Sequence, residues 1–497
     1  MLIKSIHAVS MCYKELAIIP VFENDQKNVD WLEPIDRNLY QSVKKVLDSG
    51  DMKGKAGSSL SFYCEEKPFE RVLLVGAGKR RDFTCEKLRR LVAGIDSVAQ
   101  SFNIRAYTIF VQPLLPFPVN NYSAGKATAE SISLSRYEFD CFKSKKEKNK
   151  KELNVRLFGA PKGAFQNGLH DGAIIAANVN MVRNLINTPS NELTPESIAD
   201  RSIKLCEGNS RLTCTVMDEN AMREHGMNGI LSVGKGSANP PRFVIIDYAG
   251  ENKGKPIVIV GKGVTFDSGG ISIKPWNGME KMKYDMAGAG AVLGIIKIAA
   301  ELNFPHHIIG LIPTAENMPA ATAYKPGDVI AMASGTTVEV ISTDAEGRLL
   351  LADALHYASD TCKPQALIDL ATLTGACMVA LGNKAMAIMG NNKGLIRRFI
   401  QNDEGSGERV WELPLWEDYD ELIKSETADI KNVGGPGAGT IIGGIFLKKF
   451  VGKNIPWVHL DIASTAWMDN NEKGYFSKGA TGAGVRIICE VLRNWDK

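Results

Sequence analysis

The stretch STDAEGRLLLADAL, residues 342–355, sets three charged side chains at alternate positions, Asp344, Glu346 and Arg348. A run of leucine and alanine that a helix would bury follows directly. Two acids and a guanidinium at the edge of a core element are costly unless each finds a partner. A second stretch, GKGVTFDSGGISIKP (261–275), sets Lys262, Asp267 and Lys274 among glycines. Asp285 stands just before a helix predicted to begin near Met286. Taken singly, Asp285 reads as a helix N-cap, and Asp344 and Glu346 read equally well as ion-pair partners of Arg348. Taken together, four carboxylates (Asp267, Asp285, Asp344, Glu346) near strand ends would repel one another strongly if gathered unpaired. Divalent cations are a natural remedy, and two cations sharing bridging carboxylates would use all four. At roughly 3.5–4 Å separation such a pair binds and activates one hydroxide. Histidine is not the obvious ligand source, since the seven histidines include no H-E-x-x-H and His306–His307 reads as structural. The residues by themselves point to a carboxylate-rich two-metal hydrolase.

Such residues need elements to hold them, and the chain alternates strand-like and helical runs. In the first part, RVLLVGAG (71–78) reads as a buried strand and CEKLRRLVAGIDSVAQSF (85–102) has helical spacing. RAYTIFVQP and LNVRLFGAP read as further strands. The GAGK at 76–79 lacks the spacing and the Ser or Thr of a phosphate loop and is taken as a strand-to-loop turn. A long helix is predicted over 168–190, stopped by Pro189. Beyond it, PIVIVGKGVTF precedes MAGAGAVLGIIKIAAEL, TTVEVIS precedes RLLLADALHYASD, and ALIDLATL precedes a loop of small residues. This alternation predicts an α/β protein of two domains, each a mostly parallel or mixed sheet flanked by helices, the C-terminal domain being larger and catalytic. The boundaries read as 1–165 for the N-terminal domain, 166–190 for a connecting helix and 191–497 for the catalytic domain. In open sheets of this kind sites gather at the carboxyl ends of strands.

Composition narrows the partners. With 497 residues, 44% hydrophobic and 23% charged, the chain suits a soluble globular protein with a large core. A net charge of +3 is too small to argue for nucleic acid or membrane. The basic run KSKKEKNKK (143–151) reads as a solvated loop and is the only local support for DNA binding. Nine scattered cysteines with no C-x-x-C read as reduced thiols, hence a cytoplasmic setting. The N-terminal stretch, broken by Lys14 and Glu15, is a poor signal peptide. No apolar stretch approaches the ~18 residues that span a bilayer.

The motifs also carry a resemblance. STDAEGRL (342–349) resembles N-T-D-A-E-G-R-L, the signature of the cytosol (leucyl) aminopeptidase family. VGKGVTFDSGG, KYDMAGA, ENMPAATAYKPGDV, DLATLTGA and RNLINTPSNELTP are similar to that family in the expected order, over roughly 170–490. The resemblance implies a metalloexopeptidase with two divalent ions, Mn or Zn, per subunit. It makes Asp267 and Glu346 bridges between the metals, with Asp344 completing one site and Lys262 and Asp285 the other. Lysine is an unusual ligand because its amine must be neutral; from the residues alone Lys262 reads as an anion binder. The resemblance further implies attack of a metal-bridging hydroxide on the scissile carbonyl, Lys274 stabilising the oxyanion and Arg348 holding a bicarbonate that shuttles the proton. Met282, Thr372, Gly375 and Ala463 would line the pocket for the N-terminal side chain, Leu-like or Met-like but broad. Substrates would be peptides with a free N-terminus, and the assembly a homohexamer.

The sequence departs from the family at two places: Ser342 replaces the signature's leading Asn, and Ala466 stands where some members carry a bulkier Met, a change expected to deepen the pocket. A two-metal phosphatase or nucleotide hydrolase is the remaining alternative. The chain has no G-x-x-x-x-G-K-[ST] and the metal cluster lacks histidine, both of which weigh against it.

Overall fold

The computed structural model describes residues 2–496 apart from 24–28, 65–68, 118, 146–152, 253 and 471–473. Most of the basic run at 143–151 therefore lies outside the described residues. The chain forms two units, Met1–Ala177 with Asn470–Ser477, and Asn178–Asp469 with Lys478–Lys497. The division falls inside one helix, Ala164–Asn187, which ends two residues before Pro189.

The first unit is built on six strands: β1 (Leu2–Ile6), β2 (Leu16–Phe22), β3 (Ser59–Tyr63), β4 (Arg71–Gly78), β5 (Ala106–Phe110) and β6 (Asn154–Phe158). They run in the order β1-β6-β5-β2-β4-β3, parallel except for the antiparallel edge strand β3. Successive residues of β2 and β4 enter opposite cores, as the two-residue strand period requires. Leu16, Ile18, Leu73 and Val75 pack on one face, and Ala17, Ile19, Val72 and Leu74 on the other. Helices Cys85–Ser101 and Asn121–Ser135 cover one face and are joined by a buried ion pair, Arg89 Nε to Glu130 Oε2 at 2.8 Å.

The second unit carries β7 (Leu212–Met217), β8 (Arg242–Tyr248), β9 (Ile257–Gly261), β10 (Gly263–Asp267), β11 (Ile308–Asn317), β12 (Val329–Ala331), β13 (Thr337–Glu339), β14 (Ala366–Ala371), β15 (Met386–Gly390), β16 (Val410–Glu412), β17 (Ile430–Lys431) and β18 (Trp457–Asp461). The main sheet is mixed and runs β16-β15-β18-β14-β9-β11-β8-β7, with β10 also pairing β11. At its centre β18, β14, β9, β11 and β10 are mutually parallel, so their carboxyl ends open on one edge. Every residue of β9 and β14 is buried, as expected for strands covered on both faces. Helix Ala287–Glu301 packs on β9 and β11, and its glycines allow close approach: a Cβ on Gly288 would lie 2.4 Å from the Leu370 carbonyl oxygen.

One expectation needs correction. TTVEVIS does not extend the main parallel sheet. Its strand, β13, lies in a separate three-stranded sheet ordered β12-β13-β17. The strand is only three residues long, Thr-Val-Glu, and its alternation of half-buried and buried residues suits a sheet covered on one face. Among the described residues no helix is long and apolar enough to cross a membrane.

Candidate active site

The carboxyl ends of the central parallel strands supply one wall of a cavity of about 260 Å³, and the turn into helix Gly347–Tyr357 supplies another. All eleven residues singled out from the sequence line it: Lys262, Asp267, Lys274, Met282, Asp285, Asp344, Glu346, Arg348, Thr372, Gly375 and Ala463. Lys262 follows β9 directly, Asp267 ends β10, Thr372 follows β14, and Ala463 lies two residues past β18. The register of β10 against β11 shifts between Val264 and Asp267, an irregularity of the kind that re-aims a side chain at a strand end.

The two charged stretches are tied to each other by short polar side chains. Thr343 donates through Oγ1 to the Gly269 carbonyl at 2.6 Å and accepts there from the Ser272 N–H at 2.8 Å. Asn317, at the end of β11, donates Nδ2 to Asp267 Oδ1 at 2.7 Å and to the Thr343 carbonyl at 3.0 Å. Gly269 has φ +85°, and a Cβ there would lie 2.9 Å from Asp344 Oδ1, so glycine serves both the turn and the approach of the acid. Gly347 is needed for closeness alone, since its Cβ would meet Lys262 Cε at 2.5 Å.

Lys262 is buried, and its Nζ lies 2.8 Å from Asp285 Oδ2, 2.8 Å from Glu346 Oε1 and 2.8 Å from the Thr372 carbonyl oxygen. Burial works against its charge, but Asp285, Glu346 and Asp267 outweigh it and hold the ammonium above its ordinary pKa. Lys274 Nζ lies 2.8 Å from Asp267 Oδ2 and is also paired with Asp344. Burial pushes Asp267 and Asp285 above the usual carboxylate range, Lys274 and Lys262 opposing at Asp267 and Lys262 at Asp285. Oxygens of Asp267, Asp344 and Glu346 all fall within 4.8 Å of one another. Glu346 Oε2 is buried with no hydrogen-bond partner, a vacant acceptor in the middle of the cluster.

Two of the local readings do not hold. Asp285 is not an N-cap. It sits in the 3₁₀ turn Met279–Met286, and its Oδ1 accepts from the Thr372 hydroxyl at 2.6 Å, while Met286 precedes helix Ala287–Glu301. Arg348 is not ion-paired with Asp344 or Glu346. It is buried in the first turn of its helix, donates to the Asn432 carbonyl, and lies 5.8 Å from the centre of the Phe446 ring. Burial pulls its pKa down to about 10, with Glu346 and Asp461 opposing. The departure at Ser342 has a local answer: its hydroxyl accepts the Asp344 N–H at 3.2 Å, closing a turn before the acid. Ala466 is fully buried and does not itself line the cavity.

Several contributors escaped sequence reasoning. Tyr284, Leu373, Thr374 and Met378 also line the cavity. Beneath them, buried Asp461 accepts from the Thr374 hydroxyl at 2.6 Å, the Ala463 N–H at 3.1 Å and the Leu373 N–H at 3.2 Å. It thereby fixes the loops that carry Thr372, Gly375 and Ala463. An acid ending a strand before small residues, as in WVHLDIAS, is the signal that singled out Asp267 and would have found Asp461.

The class that this fold and site define is the metal-dependent aminopeptidases. The description of the cytosol aminopeptidase family's catalytic domain matches residues 180–489, and that of its N-terminal domain matches 18–146. A probable cytosol aminopeptidase of Geobacter sp. (strain M21) is 42% identical over 481 residues, 96% of each chain. One of Roseiflexus castenholzii is 44% identical, covering 93% of this chain and 94% of the relative. Among solved structures, a mutant tomato leucine aminopeptidase superposes with a TM-score of 0.86 at 31% identity, covering 99% of this chain and 97% of that one. The bottromycin maturation enzyme BotP in complex with Mn gives 0.85 at 29% identity, covering 98% and 100%. The chain belongs to the cytosol aminopeptidase family.

Proposed function

We propose that the protein releases N-terminal amino acids from peptides with a free amino terminus, preferring Leu-like or Met-like residues but accepting many, and that it does so with two divalent cations, Mn or Zn. The observation that carries this reading is the cluster of Asp267, Asp344 and Glu346, whose oxygens lie within 4.8 Å of one another in a cavity that also holds Lys274 and Arg348. The donor set fits cations: hard carboxylate oxygens are gathered closely, and the buried Glu346 Oε2 has no partner. Asp267, Asp285, Asp344 and Glu346 would hold the cations, joined by Lys262 only as the neutral amine, so that cation binding there would release the proton that now pairs with Asp285 and Glu346. Cations held there supply Lewis acidity, polarising a carbonyl and lowering the pKa of water to near neutrality.

The chain's own groups divide the remaining work. Lys274 presents a positive charge where a carbonyl oxygen turns negative. Arg348, with no carboxylate partner, offers planar N–H donors suited to bicarbonate. The cavity's apolar surface at Met282, Leu373, Met378 and Ala463 receives the side chain to be released. Apolar pockets separate substrates by only ~1–3 kcal/mol per methylene, which favours breadth. Residence in the cytoplasm and assembly as a homohexamer complete the reading, supported by the family likeness.

Two measurements follow. Protein stripped of metal by a chelator should not hydrolyse leucine p-nitroanilide, and refilling with Mn or Zn should restore release of leucine. Folded protein that binds two ions and still turns over nothing would sink the reading. Asp461→Asn keeps acceptors for the backbone N–H groups of Leu373 and Ala463 but loses the one for the Thr374 hydroxyl. It is expected to raise KM by about tenfold, with kcat moving less, as the loosened loop binds substrate more weakly. An unchanged KM would show that Asp461 does not shape the pocket.

A further inference from the structure

We propose that Asn432 is a positioning residue, holding the segment that carries Asp344, Glu346 and Arg348 in register with the cavity; the inference rests on the function proposed above. The segment from Ile341 to Glu346 follows the three-residue strand β13 and precedes helix Gly347–Tyr357. Packing places it only in part: Thr343 is fully buried and bonded to the Gly269 stretch, but its neighbours are not buried. Ile341 is 43% exposed, and Asp344 presents a side chain 40% exposed.

Asn432 supplies what packing does not. It is fully buried and lies just past the two-residue strand β17, which pairs in parallel with β13. Its backbone N–H donates to the Glu339 carbonyl at 3.0 Å, adding one rung to that short ladder. Beyond the rung, its side-chain amide takes the place of a strand. Oδ1 accepts the N–H groups of Ile341 at 2.7 Å and Ser342 at 3.3 Å, and Nδ2 donates to the Ser342 carbonyl at 2.7 Å. Its own carbonyl oxygen accepts from Arg348 Nη1. One residue therefore grips the chain two positions before Asp344 and also grips the guanidinium four positions after it.

The amide is chemically specific. Only a group that both accepts and donates satisfies Ile341, Ser342 and the Ser342 carbonyl together. Aspartate would keep the acceptor and lose the donor, and alanine would lose both, leaving part-buried backbone groups without their partner. Partners that orient a site's ligands typically affect metal affinity or activity by about 10–100-fold, through geometry rather than direct contact.

The test uses full-length wild type, Asn432→Ala and Asn432→Asp, each stripped of metal. Calorimetric titration with Mn alone is expected to show affinity lower by about 10–100-fold in Asn432→Ala, and by less in Asn432→Asp. After refilling with saturating Mn, kcat for leucine p-nitroanilide should fall in the same order while KM stays within about threefold. Thermal melts of the stripped proteins report the folded fraction. Should Asn432→Ala fold poorly, Asn432→Asp carries the comparison. Mn affinity and kcat equal to wild type overturn the proposal, as do deficits that merely track the unfolded fraction. Wild type that binds Mn without turning over substrate defeats the aminopeptidase reading instead, and Mn affinity alone then decides the role of Asn432.

Discussion

Replacing Lys274 with methionine is expected to lower kcat for leucine p-nitroanilide by about 10²–10³-fold, with KM changing far less. The ammonium reaches the cavity from the loop after β10, where the Lys274 N–H donates to the Ser268 carbonyl at 2.9 Å. Burial works against its charge, but Asp267, Glu346 and Asp344 outweigh that and hold its pKa above the ordinary lysine value. Methionine keeps the apolar stem and removes the charge with its N–H donors. A charge directed at an oxygen that becomes negative only during reaction stabilises the transition state more than bound substrate, so the loss belongs in kcat. The variant should still take up the same number of Mn ions per chain, which separates a lost charge from a lost metal site. A kcat within twofold of wild type, or a loss confined to KM, would remove Lys274 from this role.

Asp353→Ala is expected to cost about 3 kcal/mol of stability at pH 5, measured by urea unfolding. Asp353 is fully buried in helix Gly347–Tyr357 and faces no cation. Its Oδ2 accepts the N–H groups of Gly229 at 2.7 Å and Ile230 at 3.1 Å, and its Oδ1 that of Ala333 at 3.0 Å. It thus secures helix Asn228–Gly234 and the turn after β12 to the helix that presents Glu346 and Arg348. Burial pushes its pKa up to about 7, the three backbone donors opposing. The unfolded value is near 3.9. Between about pH 4 and pH 7 the folded protein keeps a proton that the unfolded chain has released, so this group's stabilisation falls as pH rises through that window. The deficit of Asp353→Ala should accordingly be larger at pH 5 than at pH 8. An equal deficit at both would show that Asp353 stays ionised throughout, its three donors outweighing burial.

Local elements were legible because their signals are local. RVLLVGAG coincides with β4, and the helical spacing of 85–102 with helix Cys85–Ser101. The glycines around Asp267 and before Arg348 mark backbone turns and close approaches, and such needs show in a single stretch of chain. The types and order of Lys262, Asp267, Lys274, Asp285, Asp344, Glu346 and Arg348 were legible for the same reason: their chemistry is odd for the elements they border. The placement of TTVEVIS was not legible, because an apolar alternation of a few residues is compatible with any sheet that has an open edge.

The sequence by itself determined which side chains are available for chemistry, which helices and strands flank them, and that acids gathered unpaired would need divalent cations. Only the tertiary structure decided how these groups meet. Asn317 reaches Asp267 across 50 residues, Asp461 reaches Thr374 across 87, and Asn432 reaches Ile341 across 91. Each of these is one short polar side chain whose partner is chosen by strand order and register. A polar residue after a strand reads the same in sequence whether it faces water or a buried backbone group. What separates the two is the cost of leaving a buried donor or acceptor unpaired, and that cost arises only once the sheets have assembled.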